Sequence, residues 1–143
     1  MQLHKQDKDR QALAEELVGL AVFQGVDRKA VDALAGSGRV VHLPAGWAVI
    51  SENTPADSCY VLLEGATEVR HGSEVIARLA AGALIGEAAL VSHARRNATV
   101  ITVGDVRALR LGYDDLAPLF VKHPSLEAAF RAEWDKRATA VPS

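Results

Sequence analysis

Gly86, Glu87 and Arg96 are the residues whose types and spacing predict a chemical role, and they lie in the segment IGEAALVSHARRNATV, residues 85–100. The part that begins at Gly86 has room for about one and a half to two helical turns. The first N–H groups of a helix lack partners within the helix and carry partial positive charge, which suits phosphate. Because Gly86 has no Cβ, a ligand can approach its backbone closely. The segment therefore predicts an anion-binding site.

Arg96 and Glu87 extend this prediction to a nucleotide or a sugar phosphate. Arg96 lies where the next apolar stretch begins, and its guanidinium group can bind phosphate oxygens in a bidentate manner if the loop folds back. Glu87 would be repelled by phosphate, but a carboxylate accepts hydrogen bonds strongly from a sugar diol. Taken singly, each residue fits a solvated surface better, because surface ion pairs are common and weak. The joint arrangement favours a binding site.

The elements that must position this segment begin with two helices over residues 9–36, interrupted at residues 22–25. Leucines recur at helical spacing in the first helix. Asp27 is the expected N-cap of the second helix, and Gly36 is the expected stop. A helical N-terminal part is therefore predicted.

Residues 39–111 predict a β-rich region. Short β-branched runs alternate with turn residues about every 8–12 residues, which indicates about eight strands of a sandwich or barrel. Gly65 and Gly104-Asp105 are expected in turns between strands, and Gly72-Ser73 in a tight hairpin.

Residues 113–137 predict two more helices. Asp114 is the expected N-cap of the first, and Pro124 ends it so that Ser125 can cap the second. In the second helix Leu126, Phe130 and Trp134 follow at a spacing of four and share one apolar stripe.

Composition and charge exclude several classes of protein. The 143 residues fit one domain, and a net charge of −2 gives no global basic footprint for nucleic acid. No apolar run approaches the roughly 20 residues that span a bilayer, and the charged N-terminus has no signal-peptide core. The single cysteine, Cys59, cannot form an internal disulfide. We expect a cytoplasmic location without membrane insertion.

An enzyme on a small barrel, such as a metal-dependent one, is disfavoured. The five histidines show no paired metal-ligand spacing, and no nucleophile–base pair accompanies the segment. The sequence therefore predicts no catalytic residue and no metal site. The five histidines are His4, His42, His71, His93 and His123.

The stretches LPAGWAVISENTPADSCYVLLEGATEV and GALIGEAALVSHARRNATVITVGDVRALRL resemble the cyclic nucleotide-binding domain. This is the sensor domain of the catabolite activator protein, of the regulatory subunits of cyclic AMP-dependent protein kinase and of cyclic nucleotide-gated channels. The resemblance covers residues 17–137. Its most specific part is the family's phosphate-binding cassette, Gly-Glu-x-Ala-Leu and then Arg-x-Ala-Thr. Those positions are Gly86, Glu87, Ala89, Leu90, Arg96, Ala98 and Thr99.

This resemblance implies a fold and a set of ligand contacts. The fold would be an eight-stranded β-roll within residues 1–143, preceded by helices and followed by a hinge helix and a lid helix. Arg96 would bind the cyclic phosphate, and Glu87 the ribose 2′-hydroxyl. The hinge would be residues 114–122 and the lid residues 125–137. The pocket would be completed by Gly86, Ala88, Ala89, Asn97, Ala98 and Thr99, with Leu126, Phe130 and Trp134 as candidate lid residues.

Three positions depart from the family pattern. Ala88 replaces the usual leucine, and Arg95 replaces the usual proline. The spacing to Ala98-Thr99 favours Arg96 over Arg95 as the phosphate ligand. Asn97 stands where threonine would favour cyclic GMP, so we expect cyclic AMP (cAMP) as the ligand and cyclic GMP (cGMP) as the alternative.

The predicted function is a cyclic nucleotide sensor without its own output domain, which transmits binding through its last helices to a partner protein or fused domain. Such a sensor module could also form a homodimer. A transcription regulator would need a dimerising helix and a helix-turn-helix beyond Arg137, so we expect no direct DNA binding unless the sequence is a truncated sensor half. A degenerate β-roll used for protein docking is the other alternative, and the intact Gly86-Glu87 and Arg96 set argues against it.

Overall fold

The computed structural model describes residues 5–51, 57–86 and 98–140, except for the side chains of residues 134 and 137–140. The chain forms two compact units: a β unit, Val40–Tyr113, and a helical unit formed by Met1–Arg39 and Asp114–Ser143. The described elements are α1 (Lys5–Val18), a 3-10 turn (Ala21–Phe23), α2 (Arg28–Ser37), β1 (Arg39–Leu43), β2 (Ala48–Ile50), β3 (Ser58–His71), β4 (Glu74–Ala80), β5 (Leu84–Ile85), β6 (Thr99–Gly112), α3 (Tyr113–Lys122) and α4 (Pro124–Ala140).

Helix α2 ends at Ser37, one residue beyond the stop predicted at Gly36, and Gly36 also has a packing role. A Cβ on Gly36 would lie 2.6 Å from Cζ of Arg10. The Arg10 guanidinium crosses from α1 and donates to the Asp32 carbonyl at 3.1 and 3.3 Å. The helix continues to Ser37, whose hydroxyl donates to the Ala33 carbonyl.

The predicted capping residues have different roles in the structure. Asp27 precedes α2, and its backbone carbonyl accepts from the N–H groups of Ala30 and Val31, but its side chain makes no capping bond. Helix α4 begins at Pro124, because proline is favoured in the first turn, where its missing N–H costs nothing. The Ser125 hydroxyl instead accepts from the Asp27 N–H at 3.3 Å. Ser125 therefore joins α4 to the start of α2.

The β unit is a mostly antiparallel sheet wrapped around an apolar core. The strand order is β1-β6-β3-β4, with β2 on β6 and β5 on β3. The pairings of β3 with β4, β5 and β6 are antiparallel. The core consists of Ile50, Leu62, Ile85, Val100, Val106 and Ala108.

The described residues contain six strands rather than eight, because β3 and β6 each run for 14 residues through a predicted turn. Gly65 and Gly104 lie inside these strands with φ of +93° and +84°. The pairing register shifts around Glu64, so the glycines form a bulge that bends the strands. The predicted hairpin at Gly72-Ser73 is confirmed, because His71 pairs with Glu74 across it.

Candidate functional site

Gly86 is the point where the predicted cassette leaves the sheet. It follows β5, whose residues Leu84 and Ile85 are buried and pair with Val61 and Tyr60 of β3. Its φ of +88° lies in the left-handed region that favours glycine. The carbonyl of Gly86 accepts a hydrogen bond of 2.7 Å from the Tyr113 hydroxyl. The first residue of the cassette therefore has a defined position in the β unit.

Ala98 and Thr99 mark the other end of the predicted cassette. Both are partly buried, and Thr99 is the first residue of β6. Thr99 pairs with Arg70 near the end of β3, whereas β5 pairs near its beginning. The two ends of the cassette are therefore held by opposite halves of the same strand.

The remaining cassette residues lie outside the described part of the chain, and their roles stay predictions. They include the proposed phosphate ligand and the proposed ribose ligand. The residues concerned are Glu87, Ala88, Ala89, Leu90, Arg95, Arg96 and Asn97.

The candidate lid residues lie on α4. Leu126 and Phe130 are fully buried in the structure. The Phe130 ring packs edge-to-face on Phe120 of α3, with ring centroids 5.2 Å apart and an interplanar angle of 63°. Trp134 belongs to the same helix, and its side chain is outside the description. Contact of this stripe with a purine remains a prediction.

An ion-pair cluster lies on β3 and β4 beside the start of β6. The buried carboxylate of Glu68 accepts from Arg70 at 2.7 Å and from Arg78 at 2.9 Å. The hydrogen bond from Arg70 lowers the pKa of Glu68 below its usual value, although burial acts in the opposite direction. Because Arg70 pairs with Thr99 in the sheet, the cluster fixes the strand next to the cassette's end. Sequence analysis did not identify this ion-pair cluster, although Glu68 and Arg70 lie two positions apart on one strand.

Tyr113 is the other residue that sequence analysis did not identify. Its N–H donates to the Asp57 carbonyl at 2.9 Å, and its hydroxyl bonds the carbonyl of Gly86, 27 positions earlier. Local spacing in the sequence does not predict this contact, because only the folded sheet brings Tyr113 and Gly86 together.

The helical unit carries a cleft of about 720 Å³ that does not contain the predicted site residues. Its lining includes acids and bases that already pair with one another. Arg28 bonds Glu15 at 2.6 Å and Asp32 at 3.0 Å. The lining carries three basic and three acidic side chains, so it has no net positive charge that would favour a phosphate. Among the residues that the structure describes, no group of three or more potential metal ligands occurs.

Comparison with known proteins gives one family match. Residues 40–123, more than half of the chain, match the family model of the cyclic nucleotide-binding domain. Within the described ranges, no helix is long and apolar enough to cross a membrane.

Two proteins similar in sequence are regulators. A CRP-like cAMP-activated global transcriptional regulator from Mycobacterium tuberculosis is 26% identical over 117 residues, which cover 78% of this chain and 52% of the regulator. A cAMP-dependent protein kinase regulatory subunit from Mycosarcoma maydis is 32% identical over 107 residues, which cover 71% of this chain and 20% of the subunit. The chain thus spans at most about half the length of these relatives.

A solved structure confirms the predicted fold class. The regulatory domain of Toxoplasma gondii protein kinase A, crystallised with cAMP, superposes with a TM-score of 0.78 at 20% identity. The superposition covers 94% of this chain and 51% of the other. A β-roll with flanking helices is therefore the fold of this chain, with fewer and longer described strands than expected.

Proposed function

Because this chain belongs to the cyclic nucleotide-binding domain family, we propose that it is a regulatory module that binds cAMP in its β unit, with cGMP as the weaker ligand. The observation that carries this is Gly86, a left-handed glycine at the end of a buried strand, followed in sequence by Glu87. Both similar proteins are named for cAMP, and the Toxoplasma domain was crystallised with it.

The chemistry assigned to the site follows from its residue types. Arg96 pairs with the cyclic phosphate through its planar guanidinium fork. Glu87 accepts a hydrogen bond from the ribose 2′-hydroxyl, and an ionised carboxylate is a stronger acceptor for it than a neutral group. The backbone of residues 86–89 surrounds the phosphate and sugar, while Asn97, Ala98 and Thr99 line the pocket.

The output of the module is proposed to pass through α3 and α4 to a partner protein or a fused domain. Helix α3 follows directly on β6, and α4 follows α3, so the two helices are the chain's continuation from the β unit. The sensor half of a transcription regulator is the second candidate, favoured by the M. tuberculosis relative.

Isothermal titration calorimetry with cAMP, cGMP and 5′-AMP tests the proposal. We expect one site per chain, with cAMP bound most tightly and 5′-AMP weakly, because its phosphate is not cyclic. If neither cyclic nucleotide gives heat or a thermal shift at millimolar concentration, the sensor function is wrong and the docking alternative replaces it.

A further inference from the structure

Tyr113 joins the three segments that meet where the cassette begins. Its N–H donates to the carbonyl of Asp57, next to the first residue of β3. Its hydroxyl, on a partly buried side chain, donates to the carbonyl of Gly86 at 2.7 Å. Tyr113 is also the last residue of the β unit and the first residue of α3. A single side chain therefore links the end of β5 to the point where the chain leaves the β unit.

The bond to Gly86 restrains a residue that has unusual freedom. Glycine populates positive and negative φ about equally, so nothing in its own chemistry maintains the observed +88°. Because a trans peptide is planar, holding the Gly86 carbonyl also holds the plane of the peptide bond that follows it. The hydroxyl of Tyr113 thus restrains the orientation of the Gly86 carbonyl at the end of β5.

We propose that Tyr113 is a positioning residue of the cyclic nucleotide site, which it serves by holding Gly86 ready for the ligand without touching the ligand itself. This inference rests on the proposed function. Without the hydroxyl, binding must order Gly86 at the moment of association, and that cost reduces affinity. If the bond stabilised only the fold, its loss would lower the stability of the free and the bound protein equally and leave affinity unchanged.

The test compares Tyr113→Phe with Tyr60→Phe, which removes the same hydroxyl from the chain's other tyrosine. Tyr60 pairs with Ile85 beside Gly86 and packs against the core of the β unit, but no hydrogen bond joins its hydroxyl to the described residues. By calorimetry we expect Tyr113→Phe to bind cAMP about fivefold more weakly, the effect of one net hydrogen bond. Tyr60→Phe should bind like the wild type.

A spectroscopic signature separates positioning from a general loss of stability. The ¹³C resonance of the Gly86 carbonyl, measured without ligand, should shift in Tyr113→Phe because the carbonyl loses its donor, and should stay in place in Tyr60→Phe. Thermal unfolding of the ligand-free variants shows that both remain folded during the titrations.

The outcomes are distinguishable. Weaker binding in Tyr113→Phe alone, together with the shifted carbonyl resonance, supports the inference. Wild-type affinity in Tyr113→Phe, or an equal loss in both variants, overturns it and leaves the proposed function intact. If the wild type itself binds no cyclic nucleotide, the proposed function is wrong, and the positioning role is wrong with it.

Discussion

At the scale of single residues, the site is defined by a few contacts that hold backbone in place. Gly86 contributes a left-handed φ and a carbonyl acceptor, and Tyr113 contributes the donor. Glu68 fixes the neighbouring strand through two arginines. A ligand that relies on backbone N–H groups needs this kind of support, because a misplaced donor loses its hydrogen bond.

The assignment of the phosphate ligand is tested by a matched pair of arginine variants. We expect Arg96→Ala to lose roughly 2–5 kcal/mol of cAMP binding free energy, the usual cost of removing a desolvated charge-assisted contact, and Arg95→Ala to lose little. Calorimetry on both variants measures the difference. Equal losses, or a loss confined to Arg95→Ala, would show that the phosphate arginine is misassigned.

At the scale of secondary structure elements, the sequence predicted the order of helices and strands and the tight hairpin, but not the strand count. A glycine between two β-branched runs is compatible with a turn and with a bulge, and local pattern does not separate them. Gly65 and Gly104 are bulge residues because β3 and β6 pair with each other on both sides of the bend. That pairing joins distant segments, so it is visible only in the fold.

Gly36 and Tyr113 show the same limit of prediction from local sequence. The stop predicted at Gly36 followed its general propensity, whereas the approach of Arg10 from another helix determines its actual role. The cassette's residue types were readable from the sequence because they follow one another closely. The role of Tyr113, which bonds the Gly86 carbonyl, could not be predicted from the sequence because Tyr113 lies 27 positions away.

The bulge gives a stability prediction with an internal control. Both bulge glycines have a positive φ, but a Cβ on Gly65 would lie 2.5 Å from the Asp105 carbonyl oxygen, whereas one on Gly104 would meet no atom within 4 Å. Gly104→Ala should therefore cost about 1–2 kcal/mol of unfolding free energy for its left-handed backbone. Gly65→Ala should cost clearly more, because backbone must also move. Urea denaturation measures the unfolding free energy of both variants. Equal losses would mean that the backbone at the bulge moves away from the new Cβ at no measurable cost.

At the scale of the whole molecule, the proposed function requires that binding in the β unit affects the helices that follow it. A ligand shifts an equilibrium between two arrangements only if it binds them with different affinity. The apolar stripe of α4 is suited to cover a purine, because an aromatic face stacks on a base. It is equally suited to pack permanently in the protein, as the fully buried Phe130 and its contact with Phe120 illustrate.

Trp134 allows these two roles of α4 to be separated. The chain has two tryptophans, and Trp47 is 53% exposed, so Trp47→Phe should leave a folded protein with one reporter. If α4 closes over the base, titration with cAMP changes the Trp134 emission along the same saturation curve as the calorimetric heat. Titration of the same protein with 5′-AMP controls for non-specific quenching. Full calorimetric binding with constant emission would show that α4 is not the lid and would leave α3 as the element that carries the signal onward.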